Sequence, residues 1–188
     1  MLFRFVFILA CVVIFINSCN SVVSLNFGTH KLRSFTMEEV ESSGLGDSDF
    51  VEITDAQLTG DFIHAPGTKE KDGGLVLYPL LSKKGLEAYE KGESPSARIV
   101  AWTDIFEWDC LEAKNCAPKG ETTIKGVIRK MEPEKDKSQS LNVQLPELPI
   151  YLEVGREPTP WYWHALLMLI AGGSILFLEI RRLKKKAG

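Results

Sequence analysis

The sequence predicts a membrane-anchored protein. A small β-rich domain of the α+β kind is expected outside the cytoplasm, flanked by an N-terminal signal or anchor helix and a C-terminal transmembrane helix. Three observations predict it. Apolar runs stand at both ends of the 188-residue chain. A block of cations follows the second run. Between the runs, the hydrophobic pattern shifts to the period of two that marks strands.

The C-terminal run, Trp161 to Ile180, is 20 residues long, and a helix of that length spans about 30 Å, the thickness of a bilayer's hydrocarbon core. Leu166, Leu167, Leu169, Ile170, Ile175, Leu176, Phe177 and Leu178 together favour insertion by about 4 kcal/mol. Trp161, Tyr162 and Trp163 form an aromatic belt at one edge, and Pro158 and Pro160 stop the helix from extending backwards. Glu179 is the awkward residue. An acid at the bilayer centre costs about 2.5 kcal/mol or more, but Glu179 stands at the basic end, within reach of head groups, Arg182 or the neighbouring lysines. A buried core helix is the alternative, but such a helix is rarely apolar on every face and then closed by five cations. Arg181, Arg182, Lys184, Lys185 and Lys186 put residues 181–188 in the cytoplasm by the positive-inside rule, and the chain before Trp161 on the other side.

At the N-terminus Arg4 precedes an apolar run from Phe5 to Ile16, which Asn17, Ser18, Asn20 and Ser21 then interrupt. Three outcomes stay open for residues 1–25. They are an uncleaved transmembrane anchor over Phe3 to Val23, a cleaved signal peptide with Val22 and Ser24 before the cut, or a lipid-modified Cys19 after Ile16-Asn17-Ser18. All three leave residue 26 onward on one side.

Between Leu25 and Pro160 the 136 residues make one ordinary domain. Setting aside Arg4, Glu179 and the five tail cations leaves 16 Lys/Arg against 24 Asp/Glu, a net charge of −8. An acidic surface argues against nucleic acid and against flat adhesion to anionic lipid. Cys11 and Cys19 belong to the first run, and only Cys110 and Cys116 lie in the domain. In an oxidising compartment a pair six apart makes a local disulfide. Closing that short loop stabilises by about 2–2.5 kcal/mol in the chain-entropy model. A redox dithiol favours two intervening residues, and no histidine stands near to complete a metal shell.

Residues 26–49 read as a connector with one short helix. Thr36-Met37-Glu38-Glu39 is a capping box, and Ser42-Ser43-Gly44 closes the helix it opens. The β-rich domain is expected over residues 50–155. Its strands are Phe50 to Gly60, Gly74 to Leu81, Ala97 to Trp102, Thr122 to Lys130 with Gly126 a candidate bulge, and Leu148 to Val154. Lys83 to Lys91 reads as an amphipathic helix closed by Gly92. Ala65-Pro66-Gly67 and Lys71-Asp72-Gly73-Gly74 are turns, and Glu132 to Ser140 a mobile charged loop. Five strands with one helix permit a partly closed, OB-like barrel. That fold places its helix between the third and fourth strands, whereas here the helix falls between the second and third.

The chemistry is sparse. His30, His64 and His164 are scattered, and metal-binding, nucleophile-elbow and phosphate-loop patterns are missing. No catalytic, cofactor-binding or metal-ligating residue is assigned. The most suggestive cluster runs from Trp102 to Cys110, where Asp104, Glu107 and Asp109 interleave with Trp102, Phe106 and Trp108. The plain reading packs the aromatics in the core with the acids in water. Trp102, Phe106 and Trp108 are also the candidate interface, because tryptophan is enriched at binding hot spots. A third reading makes Asp104 and Glu107 a catalytic pair.

The expected function is that of an accessory or interaction module of a membrane complex. It presents an acidic extracytoplasmic domain, takes no cofactor, and has the lipid bilayer and another membrane protein as partners. The alternative is a membrane-tethered, hydrolase-type enzyme using carboxylates near Asp104. The bacterial cytoplasmic membrane is the expected location. Lys185-Lys186-Ala187-Gly188 also matches the dilysine retrieval pattern of the endoplasmic reticulum, the alternative location.

Overall fold

Two apolar helices take up the ends of the chain, and a mixed β-sheet takes up its middle. A computed structural model describes residues 2–65, 74–130 and 142–187. It divides into two units, Met1–Lys31 with Pro158–Gly188, and Leu32–Glu157.

The first unit holds helices α1 (Leu2–Phe27) and α5 (Trp161–Ala187). Both are long and apolar enough to cross a membrane. Their apolar side chains face outward. Phe5, Leu169, Leu176 and Phe177 are each more than 60 % exposed, which a core helix of a soluble protein would not show. The residues buried between the helices are small, namely Cys11, Ser18 and Ala171. Arg4 Nη2 lies 2.6 Å from Glu179 Oε1, and a Cβ placed on Gly172 would stand 3.7 Å from the Phe15 ring. Low-numbered residues of α1 thus meet high-numbered residues of α5, so the pair runs antiparallel. Small residues let the backbones approach closely. Glu179 meets Arg182 at 3.5 Å, as the sequence suggested. The closer partner, Arg4, was not foreseen.

In the second unit a seven-stranded sheet has the order β1-β2-β6-β7-β5-β4-β3. The strands are β1 (Arg33–Thr36), β2 (Phe50–Thr59), β3 (Ile63–Ala65), β4 (Leu75–Leu80), β5 (Ile99–Thr103), β6 (Lys119–Arg129) and β7 (Ile150–Val154). β1 with β2 and β5 with β7 are parallel, and the other pairs are antiparallel. The five strands read from the sequence are present as β2, β4, β5, β6 and β7. β1 and β3 are additions, too short to show a period. Beyond the ladder order, Gln57 and Leu81 exchange backbone hydrogen bonds of 2.8 and 3.0 Å, so the second half of β2 also meets the end of β4.

β2 carries the bulge. Ile53 pairs with Ile124 and Ala56 with Thr122, so Thr54 and Asp55 oppose one residue, and Asp55 takes a left-handed φ of 58°. The extra residue shifts the side-chain parity. Val51 and Ile53 face the core before it, Ala56 and Leu58 after it, and all four are buried. The bulge expected at Gly126 is therefore a correction. Gly126 stays in register with Val51 and Val154. A Cβ there would stand 2.3 Å from the Glu153 carbonyl oxygen, so it is close strand approach that excludes a side chain.

Residues 26–49 carry the expected helix, α2 (Met37–Ser43), with both capping-box bonds formed between Thr36 and Glu39. The segment also contributes strand β1, and Met37 and Val40 lie fully buried in the main core with Ile53, Leu58, Leu80, Ile99 and Leu152. Arg98 Nη1 donates to the carbonyls of Val40 and Glu41 at 3.0 and 2.9 Å, adding to the Gly44 amide's bond to Val40 at the C-terminal end of α2. Helix α3 (Lys83–Glu90) stands where the sequence predicts it, and the structure adds its N-cap, Ser82, whose side chain accepts from the Gly85 amide. The short α4 (Asp109–Ala113) was not foreseen. The charged stretch Glu132 to Ser140 and most of the two turn clusters between Ala65 and Gly74 fall outside the described residues.

Candidate functional site

The cluster singled out in the sequence lies where β5 ends. Thr103 closes the strand and turns the chain, its Oγ1 accepting from the Ile105 amide at 3.1 Å. α4 then begins with 3.0 Å bonds from the Cys110 and Leu111 amides to the Glu107 and Trp108 carbonyls. Cys110 and Cys116 stand at disulfide-bonding distance, with Cα atoms 4.8 Å apart, clamping the turn after α4. Lys114, in the left-handed region, ends that helix.

The three predicted aromatics differ in burial. Phe106, together with Leu111 and Cys116, packs against the main core. Trp102, in β5, is half-buried, and its indole N–H has no hydrogen-bond partner among the described residues. Trp108 points outward at 61 % exposure, which overturns the reading that buried all three. His64, on β3, joins the loop aromatics, with ring centroids 5.7 Å from Phe106 and 6.1 Å from Trp108, both edge-to-face. Phe106 and Trp108 are 5.8 Å apart. Each such pair contributes about 0.5–1.5 kcal/mol beyond burial, enough to hold Trp108 in place while its outer face stays in water.

Sequence reasoning passed over Ile105, which is 80 % exposed. Its signal was an isoleucine flanked by Asp104 and Phe106 in a segment that does not continue the strand. Asp104, Glu107, Asp109 and Glu112 are exposed around it. The loop therefore offers Ile105 and Trp108 to solvent, with four exposed carboxylates interspersed along and just after it.

Register fixes where this loop sits in the sheet. Arg33 pairs with Val51, Val51 with Gly126, and Gly126 with Val154, so one cross-sheet row holds the start of β1 and the end of β7. β5 runs parallel to β7, with Trp102 opposite Glu153. Residues 104–108 therefore leave the sheet at the end where the chain enters from α1 and departs toward α5.

A second polar cluster, unseen in the sequence, lies beside that exit. The buried Glu153 carboxylate accepts from Arg129 Nε at 2.9 Å and Arg156 Nε at 2.8 Å. Burial pushes the carboxyl up, but the hydrogen bonds and charges of Arg156 and Arg129 together outweigh it and hold the group below the usual carboxylate range. Arg156 is held protonated by Glu153 and, more weakly, by the field of Asp104, which ties the loop to this cluster. A shallow depression of about 540 Å³ lies elsewhere, lined by Thr36, Glu38, Glu39, Ser82 and Lys84 among others. No group of three or more His, Cys, Asp or Glu suited to a metal ion occurs among the described residues.

No protein-family model, curated protein or solved structure matches this chain.

Proposed function

We propose that the protein is an integral membrane protein whose two terminal helices cross the bilayer as an antiparallel pair, with residues 32–157 outside the cytoplasm as an interaction module for another membrane protein. The observation that carries it is the seam between α1 and α5. Apolar side chains point outward, small residues point inward, and Arg4 pairs with Glu179 beside the basic end of α5. A cleaved signal peptide has no use for such a seam, so α1 is retained and both chain ends lie in the cytoplasm.

β2, β6, β7, β5 and β4, joined back to β2 through Gln57 and Leu81, follow the circuit of a partly closed OB-like barrel with a single parallel pair. In that circuit α4 falls between the third and fourth strands in chain order, where the OB arrangement places its helix. The contact surface is the exposed loop bearing Ile105 and Trp108. A hydrolase acting through Asp104, Glu107 and Asp109 draws no support from the geometry. All three are exposed, and the depression is lined by other residues.

The test is topological. A cysteine at Ser94 is labelled in intact cells by an impermeant maleimide and one at Ala187 is not. The mature protein retains the mass of residues 1–25. Labelling in the reverse pattern, or a mass lacking that segment, rejects the arrangement.

A further inference from the structure

We propose that residues 104–112 dock a basic, apolar juxtamembrane segment of another membrane protein, at the level of the bilayer surface. This rests on the membrane-spanning reading above and names the chemistry of the partner.

The location follows from register and chain length. Residues 104–108 leave the sheet at the end that holds Val154. From Val154 to Trp161, the start of α5, is seven residues, which reach at most about 25 Å when fully extended. On the membrane-spanning reading, that tether bounds how far the Val154 end of the domain, and this loop with it, can stand from the first residue of α5.

The chemistry follows from the loop's surface. Ile105 and Trp108 supply exposed apolar area, and the rings of His64 and Phe106 pack against Trp108. Asp104, Glu107, Asp109 and Glu112 supply four carboxylates, and residues 104–112 contain no cation. Those acids decide between lipid and protein. Pressing them into head groups would desolvate them and set them against anionic lipid. A segment with Lys or Arg beside apolar side chains matches both features, and positive charge collects within about 15–20 residues of spans. Cation–π contact with Trp108 adds to the match.

The experiment uses the full chain in its native membrane. A benzoyl-phenylalanine photoprobe replaces Trp108 in one variant. In a second it replaces Glu93, which lies ahead of β5 at the opposite end of the sheet. Expected from the Trp108 probe is a crosslink to a peptide of another protein, net positive and within about 20 residues of a span. Its yield falls about tenfold when Asp104→Asn, Glu107→Gln and Asp109→Asn are combined. If the triple variant does not accumulate, Glu107→Gln alone serves, with a smaller loss. A crosslink to lipid alone, to a second copy of this chain, or to an acidic or membrane-distant peptide overturns the proposal. So does a yield indifferent to the acids. A partner captured from Glu93 but not from Trp108 leaves the interaction module standing and removes this docking site. Capture of no protein from either position removes both.

Discussion

Arg4 and Glu179, 175 positions apart, share a 2.6 Å ion pair, and Arg182 reaches the same carboxylate from the next turn of α5. An acid that would oppose insertion if alone becomes a registration point between two helices. Arg4→Glu and Glu179→Arg are each expected to lower the melting temperature in mild detergent, and the double swap to recover most of the loss. The coupling in a double-mutant cycle should be on the order of 1 kcal/mol. Additive losses would show that the pair contributes nothing.

Gly126 and Asp55 make opposite predictions for the same sheet. Gly126→Ala drives a methyl into the Glu153 carbonyl oxygen at 2.3 Å, with backbone on the receiving side. Denaturant unfolding should show a loss of about 1–3 kcal/mol or more. Asp55→Gly relieves a left-handed residue at the β2 bulge and should be neutral or stabilising by up to about 1 kcal/mol.

The Glu153 carboxyl is held below its usual range when folded. Its contribution to stability is therefore complete above the unfolded value of 4.5 and is lost as pH falls through the lower folded value. Glu153→Gln should flatten the acid limb of the stability–pH curve and cost on the order of 1–2 kcal/mol at neutral pH. The low end of the charged-bond range applies because both guanidiniums are more than half exposed. An unchanged acid limb would remove Glu153 from the account.

Tyr89 donates to the Asp61 carboxylate, and that hydrogen bond, with burial and the charge of Asp61, pushes the phenol up to about 12. Because the folded value is raised, the stabilisation is present below pH 10 and disappears as pH climbs through the folded value. Burial raises Tyr78 and Tyr151 as well, so phenolate absorbance should show several tyrosines titrating late, and Asp61→Asn should bring only Tyr89 back toward 10.

Removing the clamp after α4 tests the loop itself. Cys110→Ser with Cys116→Ser should cost about 2–2.5 kcal/mol by the loop-closure argument. Quenching of Trp108 fluorescence by a soluble quencher should also rise, because its support through Phe106 and α4 loosens.

What was legible in the sequence was what repeats with a period or obeys a local rule. The Thr36–Glu39 box, the amphipathic helix from Lys83 and the strands around Ile53, Val76, Val100, Val127 and Leu152 needed only neighbours a few residues away. The illegible parts depend on distant partners. β1 is four residues long and exists because Arg33 to Thr36 find Val51 to Thr54. The parity change at Asp55 hid that Ala56 and Leu58 belong to the same inward face as Val51 and Ile53. At the candidate site, composition marked the segment from Trp102 to Cys110 but not which side chains turn out. Phe106 and Trp108 share a face by alternation, yet the turn after Thr103 ends the alternation, buries part of Phe106 and leaves Trp108 in water. Arg129, Glu153 and Arg156 were invisible as a cluster because β6 and β7 are joined only by antiparallel pairing.

The row Arg33–Val51–Gly126–Val154 has a further consequence. A domain hung from one tether can swivel about it, and a partner must freeze that rotation as it binds. In the proposed arrangement, with α1 retained, both chain connections leave from this one row, and two tethers restrict that swivelling before any partner arrives. Lengthening either connection with glycine and serine would restore that freedom while leaving every side-chain contact in place. Any affinity lost on doing so would measure orientation alone.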